Sequence, residues 1–280
     1  MSVIQAGAEV APRPVEAVAD GDVVATLRRL AYRYPPELAA AQVEDVPRMA
    51  FHIALVRDRQ PTRGVVCDLG GGVGLFSVGC AALGMPAMLV DDLADIISGH
   101  RPDSILALHR AHGVDVRQHD VTGGLNVPPA SLGAVTCFHS IEHWHSSPRK
   151  LFADVMTALA PGGLFILAAP NAVNLRKRLT VPLGYGNWSP MTEWYDTDRF
   201  RGHVREPVVE DLRAIASDMG LVDVTILGRN WLGLNHRHRA VRLATRVVGR
   251  LLELQPSLCS DIYVIGRKLI HTVSGPGCSS

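Results

Sequence analysis

The 280-residue sequence is 47% hydrophobic and 20% charged, a profile that supplies a substantial core and excludes intrinsic disorder as the main state. Twenty-eight basic against twenty-seven acidic side chains leave a formal charge of +1, so no global field recruits nucleic acid, and any contact with an anionic membrane has to be local. The cysteines (Cys67, Cys80, Cys137, Cys259 and Cys278) form no C-x-x-C pair, which argues against a disulfide framework or a zinc ribbon and fits reduced thiols in a cytoplasmic protein.

Residues 1–20 lack the cationic start and continuous apolar stretch of a secretory signal and read as a disordered tail. No apolar run approaches the roughly 18 residues that cross a bilayer. Residues 22–33 and 36–57 carry Val23, Leu27 and Leu30, then Leu38, Val43, Met49 and Ile53, at helical spacing, which predicts two helices forming a cap over 21–60 of a single domain, 21–270. From Val65 the pattern changes to short apolar runs at 65–67, 87–90, 114–116, 134–138 and 164–168, separated by turn residues and helical segments. Near-continuous apolar strands alternating with helices predict a doubly wound α/β fold with a mostly parallel sheet covered on both faces. Pro161-Gly162-Gly163 is expected to stop a helix over 148–160.

Residues 172–204 lose periodicity and gather Gly184, Tyr185, Gly186, Trp188, Pro190, Trp194 and Tyr195. A long aromatic loop of this kind predicts a lid facing a substrate. A helix over 208–219, a strand over 222–227, an arginine-rich helix within 236–256 and a last strand over 261–267 follow, and 271–280 reads as frayed.

The sharpest chemical signal is Val65-Val66-Cys67-Asp68-Leu69-Gly70-Gly71-Gly72-Val73-Gly74, a buried strand running into glycines that open a helix. Such a loop lets backbone approach a ligand and presents free N–H groups at the helix start, as a nucleotide-type cofactor site requires. The dinucleotide fingerprint G-x-G-x-x-G is not met, because Leu75 and Ser77 stand where its third glycine belongs, and no Gly-Lys-Ser/Thr makes a P-loop.

With these residues the chain resembles the class I S-adenosylmethionine-dependent methyltransferases, and the likeness continues in order over about 65–267: an acid after the second strand, another after the third, Glu142-His143 after the fourth, and Pro161-Gly162-Gly163 before the fifth. The resemblance implies a Rossmann-like, seven-stranded, mostly parallel sheet with an antiparallel last strand, and S-adenosylmethionine as cofactor. It implies that Asp68, Gly70, Gly71, Gly72 and Gly74 hold the methionine and ribose region, Asp91 or its neighbour Asp92 the ribose hydroxyls, and Asp120 with Val121 the adenine, Ser140 completing the pocket. The family often has an acid opening the fourth strand, where this chain has Leu132-Gly133-Ala134. A nicotinamide-dependent oxidoreductase, disfavoured by the missing glycine, and a non-catalytic cofactor-binding subunit are the rivals outside the family.

His143 is the expected general base, an imidazole being suited to proton transfer near neutral pH, and His203 the second choice. His139, His143 and His145 stand close together, but no acidic or cysteine set at metal spacing completes a shell, so no metal is expected. A looser likeness to glycan and natural-product tailoring enzymes implies a small hydroxylated acceptor (a glycan, nucleotide sugar or secondary metabolite), with N-methylation as the near rival. Tyr34, Glu142, Arg176, Trp188, Trp194, Tyr195 and Arg205 are the candidate acceptor contacts, and His203 and Arg205 also fit a network around Glu206 and Glu210 at the start of the next helix. Arg239, Arg242, Arg246 and Arg250 on one face of the basic helix suggest peripheral membrane contact or a solvated face.

Overall fold

The computed structural model describes residues 21–60, 64–93, 102–198 and 200–270; the tails expected at 1–20 and 271–280 lie outside the described residues. Helices α1 (Gly21–Ala31) and α2 (Pro36–Arg57) precede β1 (Val65–Leu69). Alternation then sets in with α3 (Leu75–Ala82), β2 (Ala87–Asp91), α4 (Pro102–Ala111), β3 (Asp115–Gln118), β4 (Leu132–Phe138), α5 (Arg149–Ala158) and β5 (Leu159–Pro170). The remainder carries α6 (Leu175–Thr180), α7 (Met191–Tyr195), α8 (Val209–Asp218), β6 (Val222–Arg229), α9 (Trp231–Leu234), α10 (Arg239–Leu252) and β7 (Asp261–Arg267).

The strands form one sheet in the order β3-β2-β1-β4-β5-β7-β6, with β7 antiparallel to β5 and β6 and the other pairings parallel. Because successive side chains point to opposite faces, each central strand feeds two cores. Val66, Leu89, Ala134, Ile166 and Tyr263 pack with α1 to α4; Cys67, Val90, Val135, Leu167 and Val264 pack with α5 and α8. Strand order reverses between β1 and β4, the place where open α/β sheets bind ligands beyond the carboxyl ends of their strands.

Several elements depart from their expected extents, and three departures have a visible cause. The helix before Pro161 ends at Ala158, because buried Leu159 is already extended and pairs with Leu132 of β4. Strand β3 starts one residue late, Val114 being spent on packing rather than on the ladder. The 172–204 segment is not structureless: the Asn174 side chain accepts from Lys177 N–H at 3.0 Å and starts α6, and α7 follows Pro190.

A buried polar contact on one face of the sheet joins α2, α9 and β7. Trp231 Nε1 donates to the Tyr263 hydroxyl at 2.8 Å, and that hydroxyl pairs with His52 Nε2 at 3.0 Å, with Tyr263 and His52 fully buried. Tyr263→Phe leaves both nitrogens without a partner, so chemical denaturation of the variant should show a loss of about 1–3 kcal/mol; a loss of a few tenths would mean that water replaces the hydroxyl.

Candidate cofactor and acceptor site

Beyond β1 the chain turns on backbone geometry that side chains would block. Gly74 precedes α3 with φ +71°, and a Cβ there would lie 2.2 Å from His109 Nε2. A Cβ on Gly70 would meet Ser140 Oγ at 1.9 Å, and one on Gly71 would meet Asp68 Oδ2 at 2.1 Å. Gly72 differs: at φ +56° its Cβ position has no atom within 4 Å, and it lines a cavity of about 690 Å³. A side chain would fill that cradle and would be strained there. The Gly72 N–H donates to Asp91 Oδ2 at 2.8 Å and the Leu93 N–H to Asp91 Oδ1 at 2.6 Å, which fixes this carboxylate at the end of β2, and a carboxylate so held has the acceptor capacity to meet ribose hydroxyls as well.

The cavity is lined by Gly70, Gly72, Asp91, Asp92, Asp120, Val121, Ser140 and His143 among the expected residues. Asp120 Oδ1 accepts from Thr122 N–H and Oγ1 at 2.8 and 2.7 Å, which places it and Val121 at the mouth. Ser140 Oγ accepts from Trp144 Nε1 at 2.9 Å.

Two of the expected contacts, Asp68 and Tyr34, sit away from the cavities. Asp68 does not line the cavity: it is 2% exposed beneath Gly71, where it accepts from Ser77 Oγ at 3.0 Å and Thr136 Oγ1 at 3.1 Å. These bonds seat it under the glycine loop. Burial pushes its carboxyl up to about 7, against the lowering effect of those two donors. Tyr34 lines neither cavity either; buried, it donates to the Val73 carbonyl at 3.0 Å and ties the N-terminal helices to the glycine loop.

A second cavity of about 640 Å³ adjoins the first, and His143 and Arg201 line both. Its walls include the expected Arg176, Trp188 and His203. Trp194 and Tyr195 stay outside it, exposed and against each other with ring centroids 6.3 Å apart, because α7 turns Glu193 inward instead. Arg205 is also outside, donating to Asp211 Oδ1 at 3.0 Å at the start of α8. Glu142 lines neither cavity; it is 1% exposed behind their junction, and burial raises its carboxyl to about 7.

His143 Nδ1 bonds the Arg201 carbonyl at 2.8 Å, and His203 Nδ1 bonds Glu206 Oε1 at 2.7 Å. Glu206 also accepts from Lys177 Nζ. Burial acts to raise the Glu206 carboxyl, but the His203 and Lys177 bonds outweigh it and hold it below the usual range; the Glu206 bond raises the His203 imidazole. Sequence reading missed Lys177 and Arg201, and it did not place His139 in the cofactor cavity. Lys177 and Arg201 carry no motif, and His139, visible in sequence only as one of three neighbouring histidines, lines the first cavity with φ +54°. Glu206 was legible only as part of a helix start.

A glycine-loop cleft at the switch point of a Rossmann-like sheet, with a second cavity beside it, has the form of a nucleotide-type cofactor site. The family model described as a methyltransferase domain matches residues 41–226, and the chain belongs to that family, within the class I S-adenosylmethionine-dependent methyltransferases. S-adenosylmethionine is the cofactor of these proteins, and the open cradle at Gly72 together with the fixed Asp91 carboxylate fits it. A Mycolicibacterium smegmatis protein named "Probable S-adenosylmethionine-dependent methyltransferase" is 28% identical over 159 residues, 54% of this chain and 58% of its own length, so the match spans little more than half of that relative. Similar folds include geranyl diphosphate C-methyltransferase from Streptomyces coelicolor (TM-score 0.53, 15% identity, 82% of each chain). Another is a SAM-dependent methyltransferase from Archaeoglobus fulgidus (TM-score 0.50, 18% identity, 79% of this chain and 94% of that one).

The buried Asp68 carboxyl binds its proton more tightly in the folded chain than in the unfolded one, whose value lies near 3.9. The resulting stabilisation is full below about pH 4 and disappears as pH rises through about 7. Melting temperatures of Asp68→Asn against the parent between pH 4 and 8 should therefore show a flatter decline in the variant; parallel curves would mean that Asp68 stays ionised throughout.

Proposed function

We propose that the protein transfers the methyl group of S-adenosylmethionine to a hydroxyl oxygen of a small polyhydroxylated metabolite, such as a glycan, a nucleotide sugar or a secondary metabolite. The observation that carries this reading is His143, the imidazole that lines both the cofactor cleft and the neighbouring cavity. The cofactor, when bound, supplies an electrophilic methyl carbon on a good leaving group. Gly70 and Gly72 let the backbone close on it, Asp91 and Asp92 take the ribose hydroxyls, and Asp120 and Val121 border the adenine.

An aliphatic hydroxyl needs a group to take its proton. The bond from His143 Nδ1 to the Arg201 carbonyl assigns the ring hydrogen to Nδ1 and leaves Nε2 with a free lone pair. His203 is the weaker candidate, because Glu206 favours its protonated form. Trp188 offers an apolar face for a sugar ring, and Arg176 and Lys177 line the same wall. Under this reading the 172–204 segment is the lid. With purified protein and S-adenosylmethionine, a screen of hydroxylated acceptors should give methyl ethers, and His143→Gln should lower kcat by about 10²–10⁴-fold with S-adenosylhomocysteine affinity unchanged. Methylation of amines alone would replace the oxygen acceptor with nitrogen.

Contact with an anionic lipid surface is a second reading, supported by α10. The helix rests on α9 near Thr245 and the buried Gly249, while Leu243, Val247 and Leu251 are each more than 60% exposed. Arg239, Arg246 and Arg250 flank that stripe, and no acid lies between residues 239 and 252, the pattern of an interfacial helix. No described helix is long and apolar enough to cross a membrane. The protein should float with phosphatidylserine vesicles and not with phosphatidylcholine vesicles, and breaking the apolar stripe with Val247→Asp and Leu251→Asp together should abolish flotation; equal behaviour on both vesicles defeats the reading.

A further inference from the structure

We propose that Glu142, His143 and His203 form a binding site for one divalent first-row transition cation at the junction of the two cavities. The three residues come from the turn after β4 and from the segment entering α8, far apart in the chain, and their ligand atoms lie within 4.8 Å of one another. The two segments are tied by backbone: the Glu142 carbonyl accepts from Val204 N–H at 2.7 Å and Arg205 N–H at 3.2 Å. His203 is thereby held beside His143, with ring centroids 4.9 Å apart.

Two independent features point to an ion. Each imidazole has its Nδ1 engaged, His143 on the Arg201 carbonyl and His203 on the Glu206 carboxylate, so that both Nε2 atoms are the free ones. Metal-bound histidines are oriented by just such bonds to carbonyls and carboxylates. The second feature is Glu142 Oε2, buried and without a hydrogen-bond partner, an arrangement that is costly unless something meets that oxygen. A cation supplies the missing partner.

Two imidazoles and one carboxylate suit Zn²⁺, Mn²⁺, Fe²⁺ or Co²⁺, whereas Mg²⁺ and Ca²⁺ favour all-oxygen shells. Bonds of about 2.0–2.2 Å bring ligand atoms to about 3.0–3.4 Å from one another, so the three side chains draw inward on the ion. Lys177 is near, but Glu206 already pairs with it. Three protein ligands leave positions open, and His143 faces both cavities, so an acceptor hydroxyl has access to the ion. This role rests on the hydroxyl-acceptor reading above: with both Nε2 atoms ligated, the ion lowers the hydroxyl pKa and the proton passes to solvent. The oxygen then bonds the methyl carbon as the carbon–sulfur bond breaks. His143 acts as a base only in the ion-free chain.

Chelator-treated full-length protein, without cofactor or acceptor, should bind one Zn²⁺, Mn²⁺ or Co²⁺ per chain by titration calorimetry. Glu206→Gln should weaken binding by about 10–100-fold, and Glu142→Gln and His203→Ala by more. Circular dichroism and S-adenosylhomocysteine binding of each variant check that it is folded. No binding by the parent at millimolar ion, or equal binding by parent, Glu142→Gln and His203→Ala, overturns the site. If the ion binds but no hydroxyl is methylated, the acceptor reading fails and the site stands; if chelated protein methylates a hydroxyl at full rate, the acceptor reading stands and the ion's catalytic role fails.

Discussion

Everything at the functional edge depends on how closely the backbone at 70–74 approaches its neighbours. Side chains on Gly70, Gly71 and Gly74 would collide with Ser140, Asp68 and His109, which come from the segment after β4, from β1 itself and from α4. Since protein interiors are packed to crystal-like density, the loop cannot withdraw from one of them without pressing on another. The position of the loop therefore fixes Asp91 through the Gly72 N–H and fixes Ser140 across the switch point. Tyr34 extends the same constraint to the N-terminal helices by bonding Val73. One turn of chain thus couples cap, sheet and cleft.

The second organising contact is the Glu142 backbone carbonyl. By accepting from Val204 and Arg205 it brings a segment distant in the chain against the turn after β4, and the two cavities become neighbours with His143 in their common wall. The Lys177–Glu206–His203 chain then sets the charge there. A half-buried carboxylate is tolerable because it answers to the Lys177 ammonium and the His203 ring, and it holds His203 through one ring nitrogen while the other has no partner among the described residues.

The sheet was legible because its strands are buried on both faces and read as unbroken apolar runs. The cofactor edge was legible because glycine spacing and acids at strand ends are local features. Asp68 shows the limit of that reading: an acid beside a glycine loop looks the same in sequence whether it meets the ligand or, as here, sits beneath the loop on Ser77 and Thr136. The aromatic segment shows another. Composition marked Trp188, Trp194 and Tyr195 alike, but the turn of α7 admits only Trp188 to the cavity wall. The assembly of Glu142 and His143 with His203 depends on tertiary backbone bonds, which leave no mark in the local sequence, where the neighbours of His143 are His139 and His145.

Asp68 and Glu142 make an instructive pair, since burial raises both carboxyls to about the same value near 7. A shifted pKa marks functional and structural groups alike, so the hydrogen-bond inventory has to separate them. Asp68 is met by two hydroxyl donors within 3.1 Å, lies under the loop and touches neither cavity; a satisfied buried network of that kind fixes a conformation. Glu142 keeps an oxygen with no donor at all, next to two imidazoles whose outward nitrogens are free. The two acids thus share a shift and a cause but differ in their partners, and it is the unmet oxygen of Glu142, beside two imidazoles, on which the proposed ion site rests.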